Sequence, residues 1–197
     1  MVANFSKLLK RRAFLAPTAL ALASQLGVFI FVTNSALVLV PVLGYSPAQY
    51  ALLLAVIMLG NIVGVQIASR MVLRRGIATM LRAGGACSGA GGILLVLLGV
   101  FDVRSGVMIV APVALIMLGN GLIMPNATAA AMSRFSAIAG SASSLQAMSY
   151  QVCGAAAAVL VALMFDGTPR ALFLSVALSG MATFLVERAL FGKAGIR

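Results

Sequence analysis

The sequence predicts an all-α integral membrane protein of six transmembrane helices. Three observations carry that reading. Of 197 residues, 62% are hydrophobic and 9% are charged, with a mean hydropathy of +1.14. A soluble domain of this length buries only part of its chain surface and has no place for so much apolar area. Uncharged stretches near the roughly 20 residues that a spanning helix needs cover 13–69, which a turn divides in two, then 83–101, 105–133, 135–165 and 171–186. They are continuous rather than alternating, which argues against a β-barrel. The cations supply the third observation. With the N-terminus inside, twelve of the fourteen fall on 1–12, 70–82, 133–140 and 187–197, leaving only Arg104 and Arg170 outside. This positive-inside bias sets both termini in the cytoplasm. It also accounts for the net charge of +11 without nucleic acid, which is not an expected partner.

The elements follow in order. Residues 1–12 form a cytoplasmic basic tail that anchors the first span. Lys10-Arg11-Arg12-Ala13-Phe14-Leu15 has the look of a twin-arginine export signal, but more membrane sequence follows and no soluble passenger. Span 1 covers about 14–40 and ends near Pro41. Ser46 and Gln49 fit a capping box, with Pro47 at the first helical position of span 2. Gly60 and Gly64 in span 2, and Gly85 and Gly89 in span 3, have the four-residue spacing of close helix packing. Arg70, Arg74, Arg75 and Gly76 make the inside turn between these spans, and Asp102 and Arg104 an outside one. Span 4 runs from about Ser105 to Met132 and should bend at Pro125. Span 5 covers about 141–165, and Asp166 to Arg170 make the second outside turn, with Thr168 capping and Pro169 opening span 6. The transmembrane domain is thus 13–191, followed by a cytoplasmic tail at 192–197. IMLGN occurs at 57–61 and 116–120, which reads as a chance match.

The deep amides rank the spans. Gln25 and Asn34, Asn61 and Gln66, Asn120 and Asn126, and Gln146 and Gln151 place two each on spans 1, 2, 4 and 5. A buried amide in lipid is costly unless it is paired or faces water. Spans 1, 2, 4 and 5 should therefore face an interior, and spans 3 and 6 lie at the periphery. Gln146, Tyr150 and Cys153 share one helical face, as do Asn120 and Met124. Asn126 has a structural use, bonding a carbonyl that Pro125 frees. Cys87 and Cys153 read as small buried residues. No histidine is present, and the only acids are Asp102, Asp166 and Glu187, all at span ends. Metal chemistry, a nucleotide cofactor and enzymatic function are not expected, and no proton-carrying carboxylate lies within a span.

Two motifs add a resemblance. Gly119-Asn120-Gly121-Leu122-Ile123-Met124-Pro125-Asn126-Ala127-Thr128-Ala129 and Ala139-Gly140-Ser141-Ala142-Ser143-Ser144-Leu145-Gln146 resemble the C-terminal half of Bcr/CflA-type drug-resistance transporters. These are drug:proton antiporters of the major facilitator superfamily. Agreement extends to Gly44-Tyr45-Ser46-Pro47, to Ser69-Arg70 with Arg74, Arg75 and Gly76, and to Asp166-Gly167-Thr168-Pro169. The resemblance implies a half bundle of two inverted three-helix repeats. It makes Gln25, Asn34, Asn120 and Met124 cavity residues, with Gln146 and Tyr150 flanking. Ser69 stands where the family signature has an aspartate, and the resemblance to a C-terminal half implies that the N-terminal half, which in that family holds the usual proton-linked carboxylates, is not to be expected in this sequence.

The expected function is efflux of small amphipathic or cationic organic compounds across a bacterial inner membrane by alternating access. Proton coupling would come only with a second six-helix half, either another copy of this chain or a separate chain. The partners are then a small-molecule solute, the lipid bilayer and that half. The competing expectation is a truncated, non-transporting remnant of a longer transporter.

Overall fold

A computed structural model describes residues 11–100, 106–133, 135 and 138–191. Expectations that rest on residues 1–10, Asp102, Arg104, Arg134 and 192–197 lie outside the described residues. Among the described residues, five helices form: α1 (Arg12–Leu39), α2 (Pro47–Val100), α3 (Gly106–Met132), α4 (Ala139–Leu163) and α5 (Arg170–Phe191). Each is long and apolar enough to cross a membrane.

Five helices stand where six spans are expected, because the inside turn at 70–76 contracts to one residue. The 54 residues of α2 are helical except at Gly76, with φ 78° and ψ 161°. A straight helix of that length would measure roughly 80 Å, against a hydrocarbon core of about 30 Å. The packing against α3 shows how α2 folds. Before the break, Gly60 abuts Ala114 and Gly64 abuts Leu118. After it, Gly84 abuts Ile123 and Gly91 abuts Pro112 and Ile116. The order along α3 rises in the first arm and falls in the second. The two arms, 47–75 and 77–100, therefore run antiparallel beside the same helix.

Glycine makes that approach possible. Gly64 and Gly121 face one another so closely that a Cβ on Gly64 would lie 3.1 Å from the Gly121 Cα. Backbone cannot yield to a side chain as a flexible residue can, so small residues are required at such crossings. The start of α2 matches its sequence signature. Ser46 N donates to Gln49 Oε1 at 2.9 Å, and Gln49 N donates to Ser46 Oγ at 3.2 Å, with Pro47 first in the helix. At α5 the helix begins at Arg170, and Phe173 N donates to Pro169 O. Thr168 instead donates through both its hydroxyl and its amide to Asp166 Oδ1. The hydroxyl bond is the chief reason that this carboxyl titrates below its ordinary range.

α3 is the central helix, buried on several sides through Val113, Ile116, Met117, Ile123, Ala127 and Ala131. Two of the four apolar clusters it joins flank its middle. One holds Phe31 and Val38 of α1 with Val113 and Met117 of α3 and Val176 of α5. The other holds Leu20 and Ala21 of α1 with Ile123 and Ala127 of α3.

Three expectations are overturned here. Span 6 is not peripheral: α5 buries Leu172, Phe173, Val176, Ala177 and Thr183. The more exposed elements are α4 and the first arm of α2, with Val152, Val159 and Leu160 on one and Leu52, Val56 and Leu59 on the other open to the surroundings. Amide content marks where polar partners are needed. Depth of packing follows instead from small residues, here Gly85, Gly89 and Gly92 of the second arm set against Glu187, Phe184 and Ala177 of α5. The third acid is also deeper than its place near a span end indicates. Glu187 is 1% exposed, packed on Gly85, with Oε2 3.9 Å from Arg188 Nε and Oε1 without a partner among the described residues. Of the cysteines, Cys87 is half-buried, but Cys153 is exposed.

Candidate functional site

Between the two apolar clusters lies a layer of amides and one hydroxyl. Asn61 Nδ2, on the first arm of α2, donates to Asn120 Oδ1 on α3 at 2.9 Å and to Met117 O at 3.3 Å. Asn120 Nδ2 donates to Ser24 Oγ and to Gln25 Oε1 on α1, both at 3.0 Å. Three helices are joined through one side chain. Asn120 is 4% exposed and spends both amide hydrogens and a carbonyl lone pair in these bonds.

The layer sits at mid-depth. Gln25 is 13 residues from the first and 14 from the last residue of α1, by 25−12 and 39−25. Asn120 is 14 and 12 residues from the ends of α3, by 120−106 and 132−120. The half-buried Gln25 and Asn61 each keep one amide function without a partner among the described residues. These are the Nε2 donor of Gln25 and the Oδ1 acceptor of Asn61. An unpaired amide at mid-depth of a bilayer is costly unless water, a solute or protein meets it.

The other sequence-derived residues are placed elsewhere. Asn34 Nδ2 donates to Ile30 O at 3.0 Å and to Ala158 O at 3.2 Å, fastening α1 to α4. Met124 is half-buried against the cluster of Leu20, Leu81 and Ile123. Gln146 is 2% exposed, and its Nε2 has no partner among the described residues. Tyr150 is half-buried one turn further along α4. Gln66 and Gln151, read as deep amides, are exposed. Asn126 Nδ2 bonds Leu122 O at 2.8 Å. That is its own i−4 carbonyl, one residue from the Gly121 carbonyl that Pro125 deprives of a donor.

Sequence reasoning missed two features of the layer. Ser24 carries no sign of its role beyond adjacency to Gln25. The IMLGN segments, read as a chance match, meet in the fold through their terminal Asn61 and Asn120.

Comparison with known proteins adds the family. The sequence profile of the Major Facilitator Superfamily matches residues 1–158, about four-fifths of the 197-residue chain. No curated protein and no solved structure matches the chain. The profile spans α1 to most of α4, and so includes every residue of the mid-depth amide layer. With apolar helices long enough to cross a membrane and that match over most of its length, the chain belongs to the major facilitator superfamily of membrane transporters.

Proposed function

We propose that the chain is a six-crossing half of a multidrug efflux transporter of the Bcr/CflA type. It would export small amphipathic or cationic organic compounds from a bacterial cytoplasm by alternating access. Counting the two arms of α2 separately gives six crossings over 13–191, an arrangement compatible with two inverted three-helix repeats. The observation that carries the proposal is the amide layer at the midpoint of α1 and α3. Solute sites in such transporters lie near the bilayer midplane. Here the unpaired Gln25 donor and Asn61 acceptor are the groups left to meet a solute. Asn120 holds them in place from behind. Tyr150, half-buried on α4, would bound the cavity on that side, with Asn34 and Gln146 buried behind it, and Met124 offers a polarizable surface suited to loosely defined substrates.

A second six-helix half supplies the opposite wall. It also supplies proton coupling, since the Gln25–Asn61–Asn120 layer contains no carboxylate. The half is another copy of this chain or a separate one, and both termini of this chain lie in the cytoplasm. The test is accumulation of a cationic fluorescent dye in cells expressing the chain, with and without a proton gradient. Lowered accumulation that Gln25→Leu reverses at equal expression supports the proposal. Accumulation unchanged from control cells, alone and beside a separately expressed N-terminal half, favours a non-transporting remnant.

A further inference from the structure

At one end of the bundle, away from the amide layer, the start of α1, the break in α2 and the ends of α3 and α5 enclose a cavity of about 700 Å³. Arg12 and Arg75 bring positive charge to it, while Ala16, Ala130, Leu190 and Phe191 give it apolar walls. Neither guanidinium has a carboxylate partner among the described residues. Neither of the two acids among the described residues, Asp166 and Glu187, lines it. The first turn of α1 adds to the positive field, because Arg11 provides no side-chain cap to it.

The depth selects the occupant. Three helix termini and the break in α2 meet at the cavity, and α1 measures roughly 42 Å from its 28 residues, against a hydrocarbon core of about 30 Å. The arginines therefore lie at headgroup level, with the apolar walls reaching toward the acyl region. A soluble anion would use the cations and leave those walls exposed to water. An amphiphile with one anionic head uses both. We propose that this cavity binds an anionic phospholipid, its phosphate held by Arg12 and Arg75 and the upper part of an acyl chain set against Ala130, Leu190 and Phe191. Guanidinium groups suit the phosphate through paired N–H donors. Basic pockets between transmembrane helices are recurrent sites for anionic headgroups.

The test is native mass spectrometry of the full chain in neutral detergent, titrated with dioleoylphosphatidylglycerol, dioleoylphosphatidylcholine or glycerol 1-phosphate. The wild-type chain should retain phosphatidylglycerol in preference to phosphatidylcholine. Each cation near a membrane surface is worth about fivefold, so Arg12→Gln with Arg75→Gln should weaken phosphatidylglycerol binding by about thirtyfold. The paired lysine variant should keep most of it. Ala130→Phe fills the apolar wall and leaves both cations in place, so loss of binding there distinguishes a seated lipid from general charge attraction. Should the glutamine pair lose helicity, Ala130→Phe decides the matter. Equal retention of the two lipids by the wild type overturns the proposal. So does phosphatidylglycerol preference that survives in Ala130→Phe, or glycerol 1-phosphate that displaces the lipid at equal concentration.

Discussion

Among single residues, Asn120 and Gln25 have different duties although both are amides of one network. Asn120 makes three side-chain bonds, to Asn61, Ser24 and Gln25, and is almost wholly buried. Gln25 accepts one of these bonds and keeps its Nε2 unpaired among the described residues. Interhelical hydrogen bonds in membranes average about 0.6 kcal/mol each. Asn120→Leu should therefore lose roughly 2 kcal/mol of stability and lower the amount of folded protein, whereas Gln25→Leu should lose about 0.6 kcal/mol. Thermal loss of helicity in detergent, followed by circular dichroism, measures both. Similar destabilisation by the two variants would show that Asn120 is not the hub. The sequence identifies these amides, because an uncharged polar group within a long apolar run is conspicuous. It does not reveal their pairing. Asn61 and Asn120 are 59 residues apart, and which side chains meet depends on helix rotation and crossing, which backbone contacts such as Gly64 with Gly121 set. Ser24 is invisible for the same reason, since a serine in a membrane helix commonly bonds its own backbone, as Ser149 and Ser175 do here.

Among the elements, α2 shows how little sequence is needed to reverse a chain in this fold. The basic run at Arg70, Arg74 and Arg75 indicates a turn, yet helix continues through those residues, and Gly76 alone departs from it. Its φ of 78° and ψ of 161° lie in a region that is essentially open to glycine only. A Cβ at Gly76 would touch nothing within 4 Å, so the cost of Gly76→Ala is conformational rather than steric, about 1–3 kcal/mol. The same variant should disturb packing of both arms against α3 and lower the thermal midpoint, with glycine-to-alanine at the exposed Gly140, whose Cβ also meets nothing, as the control. Equal midpoints for the two variants would mean that the break does not depend on glycine at position 76. Element starts are legible where a local rule governs them, as in the reciprocal bonds of Ser46 and Gln49. Element depth is less so. α5 has no amide to mark it as interior, but Ser179, Gly180 and Thr183 let it pack closely. Small residues of this kind offer little hydropathy signal while deciding which helices touch.

For the whole molecule, the question is what covers the first arm of α2. Leu52, Val56, Leu59 and Ile62 are 49–69% exposed there, and an apolar face of this kind rests in lipid without penalty. The half-buried amides of Asn61 and Gln25 do not, because acyl chains offer no hydrogen bonds. This contrast, rather than exposed apolar area, is where the proposed second half can be tested, since water, a solute or another polar surface must meet these amides. If that surface belongs to another copy of the chain, a cysteine near Asn61 should lie close to its partner. In a variant with Cys87 and Cys153 replaced, Leu59→Cys sits two residues before Asn61 at a position 54% exposed, and Leu185→Cys offers a similarly exposed site, 62%, on α5. Oxidation of native membranes with copper phenanthroline should give a disulfide-linked dimer from Leu59→Cys and little from Leu185→Cys. Wild-type dye handling should fall on crosslinking if the two halves must move against each other. Equal crosslinking at both sites would indicate random collision in the bilayer. Absence of a dimer at Leu59, with both cysteines reactive to maleimide, would exclude self-pairing through this face and leave a separate chain as the partner to be sought.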